Sequence, residues 1–170
     1  MKLFTLVFLS LLLIQPAVAE TKAKAEHPQP EIIDVEQSVL KMPLAPGVTP
    51  EDARMSINLK AEELNMKKVG YQAVSKELKA RGLKSQHLEI FQFCNPEDAM
   101  KMVAFNILYA AYMPCRIALV EDNKGQYWLQ MLNLDMIIAK YPLPEDLRRI
   151  AITINGQMLE IITAGSQGSL

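Results

Sequence analysis

Leu88-Glu89-Ile90-Phe91-Gln92-Phe93-Cys94-Asn95-Pro96-Glu97-Asp98 is the stretch that organises the chain. Its first seven residues are rich in aromatic and branched side chains and alternate in character. They predict a strand with Leu88, Ile90 and Cys94 on one face. Asn95-Pro96-Glu97-Asp98 then supplies a side-chain cap, a proline at the first helical position and two acids near the positive helix end. Met100, Val103, Ala104, Ile107 and Leu108 follow at helical spacing. The expected helix, Pro96 to Leu108, is about 20 Å long, close to the length of its flanking strands. That match suggests a crossover between parallel strands, with Met100, Val103, Ala104 and Ile107 packed onto the sheet.

Downstream, Pro114-Cys115-Arg116 opens a second apolar run, Cys115 to Val120. Asp122-Asn123-Lys124-Gly125 reads as a turn, and Gln126 to Leu132 returns as a third strand of a hairpin. Asn133 caps a short helix through Ala139. From Pro144 onward, Leu147, Ile150, Ala151, Ile154, Met158 and Ile161 fit one helical face. Asn155-Gly156 carries a competing hairpin signal, but the longer match is helical, ending at Gly165. Upstream, Thr49-Pro50-Glu51-Asp52 starts a helix with Ala53, Ile57, Ala61 and Leu64 on one face. Asn65 suits its left-handed end. Lys67 to Tyr71 is extended, and Ser75 to Arg81 is a short helix stopped by Gly82.

Residues 1–19 read as a secretory signal. Lys2 gives the positive start, Leu3 to Ile14 the apolar stretch, and Ala17-Val18-Ala19 the cleavage site before Glu20. The apolar stretch is shorter than the ~20 residues of a spanning helix. The expected product is a soluble, exported, periplasmic protein with no stable membrane anchor after cleavage. Residues 20–48 are a tether followed by a more apolar arm, 49–165 form a single domain, and 166–170 a polar tail. Without Lys2 the chain holds seventeen basic and nineteen acidic residues, and its basic doublets are isolated. No nucleic-acid partner is expected, since its electrostatic footprint is missing.

Several stretches together resemble an uncharacterised bacterial family, domain of unknown function 302. They are Glu63-Leu64-Asn65-Met66-Lys67, Leu88-Glu89-Ile90-Phe91 leading to Phe93-Cys94, and Pro114-Cys115-Arg116-Ile117-Ala118-Leu119-Val120-Glu121-Asp122. Trp128-Leu129, Leu132-Asn133-Leu134-Asp135-Met136 and Glu160-Ile161-Ile162-Thr163-Ala164-Gly165 continue the similarity. Met113 before Pro-Cys and the Phe105-Asn106-Ile107-Leu108 stretch depart from it. The resemblance implies a compact two-layer α+β domain: a small β-sheet, helices packed on one face and a C-terminal helix. It implies no mechanism.

The two cysteines, Cys94 and Cys115, are the candidate reactive groups. A crossover would place them at opposite ends of neighbouring strands as unlinked thiols, beyond the ~7 Å disulfide limit. Another strand order would allow a disulfide. Cys94 precedes a helix start, where the dipole lowers a thiol pKa. Asn95, Pro114 and Arg116 are the neighbouring candidate binding residues. No cofactor is expected. Zinc lacks ligands, with His27 and His87 the only histidines. A soft donor set of Cys94, Cys115 and Met113 would suit Cu(I). A well-specified fold with no assembled catalytic constellation fits a non-enzymatic binding or interaction module for a protein or small-molecule ligand, and the sheet edges with the apolar composition favour a homodimer. The alternative is a thiol-dependent redox or sulfur-handling protein using Cys94, Cys115 or both.

Overall fold

The computed structural model describes residues 35–140 and 142–169. The signal segment, the tether, the first residues of the arm (31–34), Tyr141 and Leu170 lie outside them. The order is α1 (Val35–Ser38), β1 (Val39–Pro43), α2 (Pro50–Glu63), β2 (Lys67–Gln72), α3 (Val74–Ala80) and β3 (Leu88–Cys94). Then come α4 (Pro96–Phe105), a 3₁₀ segment (Ile107–Tyr112), β4 (Cys115–Glu121), β5 (Tyr127–Leu132), α5 (Leu134–Lys140) and α6 (Glu145–Gln167).

The local signals act as their chemistry dictates. At the start of α2, Thr49 Oγ1 accepts from the Asp52 backbone N–H at 3.2 Å. Asp52 Oδ2 accepts in return from the Thr49 N–H at 3.0 Å. The Thr49 hydroxyl also donates to Asp52 Oδ2 at 2.7 Å, and this bond, with that from the Thr49 N–H, holds the Asp52 carboxyl below its usual range. The helix ends at Asn65, which adopts φ 55°. The β4–β5 turn is tied by Asp122. Its Oδ1 accepts from the Lys124 and Gln126 N–H groups at 2.8 and 3.0 Å, and its Oδ2 accepts from Trp128 Nε1 at 2.9 Å.

The five strands form one sheet in the order β1-β5-β4-β3-β2, with every neighbouring pair antiparallel. The fold is α+β, and the C-terminal segment is a single helix. The C-terminal part of the expected arm is therefore a strand, β1, beside β5. Helices α2 and α6 pack against each other over the face carrying Phe91, Ile117, Leu119, Leu129 and Met131. Ile57, Ile161 and Ile162 are also fully enclosed there.

Three expectations are corrected. β3 and β4 are antiparallel, with Phe93 opposite Cys115, so the two cysteines lie at the same end of the sheet. The helix after β3 stops at Phe105. Asn106 is extended (φ −153°), and its side chain accepts from the Leu108 N–H at 2.9 Å, starting the separate 3₁₀ segment. The chain thus leaves the sheet and returns to the same end. Met100, Ile107 and Leu108 are exposed, and Met102 is the buried residue of α4. Finally, α6 continues past Gly165 to Gln167 and ends on Gly168 at φ 61°.

Candidate functional site

The antiparallel return opens a cavity of about 100 Å³ at the sheet end where β3 stops and β4 begins. Cys94 and Cys115 both line it. Met66, just after α2, is a third inner residue. One wall comes from α4 and the 3₁₀ segment through Ala99, Met102, Tyr109 and Tyr112. The opposite wall comes from α5 and α6 through Ile137, Ile138, Ile150 and Ile154. Asn155, buried in α6, donates to Asp135 Oδ1 at 2.8 Å and fixes α5 against α6.

Of the residues singled out from sequence, Cys94, Asn95, Met113 and Cys115 line the cavity. Pro114 does not, although it is half-buried, and Arg116 points away as an exposed strand residue. Polar groups are few and already engaged. Asn95 Oδ1 accepts from the Asp98 N–H at 3.3 Å, and Asp98 pairs with Lys101 at 2.9 Å on the surface.

Both thiols are free. Burial raises the Cys94 pKa, opposite to the lowering expected from its place before a helix. Cys115 is pushed up to about 11, chiefly by burial and secondarily by the nearby Cys94. A group raised in this way remains a neutral thiol at physiological pH.

A second cluster sits on the helix-covered face, away from the cavity. Glu89 is only 5% exposed, and Arg54 of α2 grips it with two bonds, Nε to Oε2 at 2.9 Å and Nη2 to Oε1 at 2.7 Å. Arg54 also pairs with Glu51. Tyr71 of β2 also helps to hold the Glu89 carboxyl down, and His87 Nε2 lies 3.3 Å from Oε1. Burial pushes the Glu89 carboxyl up, but the Arg54 hydrogen bonds and charge more than offset it, and the net shift is downward. Sequence reading missed this cluster. Its one signal was a charge at Glu89 in phase with Phe91 and Phe93 rather than with the polar Gln92. With every Glu89 oxygen engaged by its own chain, the cluster pins α2 to β3.

Comparison with known proteins adds the family. Residues 42–165 match the model described as Domain of unknown function DUF302. The crystal structure of an uncharacterized conserved protein DUF302 from Bacillus stearothermophilus superimposes with a TM-score of 0.60 at 19% identity. The alignment covers 74% of this chain and 96% of that one. At that identity the likeness speaks to the fold alone. No curated protein matches. The match over most of the chain, together with the shared fold, places this protein in the DUF302 family.

Proposed function

We propose that the protein is an exported binding module whose ligand occupies the cavity between the Cys94–Cys115 sheet end and helices α4, α5 and α6. The observation that carries this reading is the cavity itself: preformed, almost wholly apolar, and framed by β3, β4, the 3₁₀ segment and helices α4, α5 and α6. Its volume approaches that of an engineered apolar cavity of ~150 Å³ that holds benzene. The raised thiol pKa values favour this reading over thiol-dependent redox chemistry, which needs a thiolate. Export to the periplasm rests on the composition of residues 1–19. Among the described residues no helix is long and apolar enough to cross a membrane. The two sheet edges, β1 and β2, with Val69 and Tyr71 exposed on the latter, support pairing into a homodimer. Light scattering at high micromolar concentration tests that pairing, and a monomer mass would reject it.

The test of the cavity is thermal stabilisation by small neutral aromatics such as indole. A ligand at 100 times its Kd stabilises the folded state by ~2.7 kcal/mol. The Ala151→Phe variant, which places a ring in the α6 wall, is expected to fold and lose the shift. No shift in the wild type, and nothing apolar extracted from the purified protein, would reject the reading.

A further inference from the structure

Five sulfur-bearing residues line one cavity: Met66, Cys94, Met102, Met113 and Cys115. They come from five different places in the chain: the α2–β2 link, the end of β3, α4, the residue after the 3₁₀ segment, and the start of β4. Sequence spacing offered only Cys94, Cys115 and Met113. The fold adds Met66 and Met102, which are 2% and 7% exposed.

We propose that this sulfur cluster binds a single Cu(I) ion, with Cys94 and Cys115 as thiolate ligands and the Met113 and Met102 thioethers completing the shell. The inference rests on the reading that this cavity is the ligand site. The donor set decides the metal. Thiolate and thioether sulfur select soft ions: Cu(I), zinc or iron–sulfur clusters. Structural zinc requires four Cys, His or carboxylate ligands, and an iron–sulfur cluster requires about four cysteines. The cavity holds two cysteines and no histidine. Among the described residues no group of three or more His, Cys, Asp or Glu side chains is placed to hold a metal. The nearest carboxylate, Asp98, already pairs with Lys101.

Cu(I) is satisfied by two or three sulfurs, and neutral thioethers add coordination without adding charge. That matters in an apolar cavity, where uncompensated charge is costly. The monovalent ion offsets one of the two thiolate charges, so the loaded cavity carries a single net negative charge where the two neutral thiols carried none. The step is ligand exchange. Two S–Cu bonds form as the ion's bonds to its incoming carrier ligand break and that ligand leaves to solvent, each thiol releases its proton to solvent, and no electron is transferred.

The test is an anaerobic titration of the purified protein with the Cu(I) complex of bicinchoninate, whose colour is lost as the protein takes the ion. One equivalent per chain is expected, and X-ray absorption should show sulfur neighbours alone. Cys94→Ser and Cys115→Ser are each expected to weaken binding by more than about 100-fold, since changes merely behind metal ligands already cost 10–100-fold. Met113→Leu keeps the apolar volume and should weaken it by about 10-fold. Circular dichroism checks that each variant is folded. Failure to compete with bicinchoninate overturns the proposal, as does uptake that both Cys→Ser variants retain, which would be adventitious surface binding. If copper is not held while indole still stabilises the wild type and not Ala151→Phe, the metal assignment falls and the cavity reading stands.

Discussion

Two glycines in one helix make opposite predictions for the same substitution. Gly165 lies where α6 crosses α2 and β5. A Cβ there would be 2.5 Å from Ile57 Cγ1 and 2.8 Å from Leu129 Cδ1. Carbon atoms pack best at about 3.5–4.0 Å, so the shortfall is roughly 1 Å. Ile57 and Leu129 are both fully enclosed and have no free space to retreat into. Overpacking of this kind costs about 1–3 kcal/mol. Alanine recovers about 1 kcal/mol of helix propensity, which leaves Gly165→Ala destabilised by ~0–2 kcal/mol. Gly156, nine residues earlier in α6, has nothing within 4 Å of its Cβ direction. Gly156→Ala should therefore stabilise the protein by about 0.5–1 kcal/mol. The propensity contribution cancels between the two variants, so the difference in their stabilities isolates the steric cost at about 1–3 kcal/mol. Urea unfolding of both, with equal m-values, measures it. If Gly165→Ala matches or exceeds Gly156→Ala in stability, the close α2–α6–β5 contact is wrong.

Glu89→Gln should destabilise by about 2–4 kcal/mol at neutral pH, somewhat below the 3–5 kcal/mol of a fully buried pair because Arg54 keeps partial exposure. The Glu89 pKa is lowered in the folded state, so its stabilisation is present above the ordinary glutamate range and is lost as pH falls through the lowered value. Urea midpoints of wild type and Glu89→Gln should accordingly converge at acid pH, and a gap that widens there would contradict the pairing. Titration of the unfolded, unreduced protein with a thiol reagent should count two thiols; a count of none, restored by reductant, would contradict the free pair. In the native protein at pH 8, with roughly one Cys115 thiol in a thousand ionised, Cys115 should react far more slowly than an exposed cysteine. Thr49→Ala should cost about 1 kcal/mol by removing one half of the capping box, measured by the same urea method, and no loss would contradict that geometry.

Features written in short stretches of sequence were legible. Thr49-Pro50 and Asn95-Pro96 start helices, Asn65 ends one in the left-handed region, and Asp122 to Gly125 turns the hairpin. The alternation of β3 was also legible, but which phase faces the helices was not. Glu89 lies in the covered phase because Arg54, thirty-five positions away in the chain, neutralises it. A charge in a strand is ordinarily assigned to solvent, and only the tertiary partner reverses that. The α4 face failed for a related reason. Apolar residues lie on several sides of this helix, so periodicity alone does not select between Met100 and Met102. The cavity selects Met102, while Met100 is left 64% exposed.

Strand direction had a different cause, and it bears on function. Helices α2 and α6 already fill the core face of the sheet. A crossover helix between β3 and β4 would have to share that face or cover the other. Asn106 avoids both by breaking the helix and turning the chain back, so that β4 begins opposite Phe93. An antiparallel pair needs only a two-residue turn. The segment from 95 to 114 is many times longer than that requirement, and nearly all of it is α4 and the 3₁₀ segment. Here the surplus chain supplies one wall of the cavity, and the same reversal brings Cys115 to the end of the sheet where Cys94 lies. With parallel strands the thiols would be separated by the length of the sheet and no shared site would exist. The feature least readable from local sequence is therefore the one that assembles the candidate site.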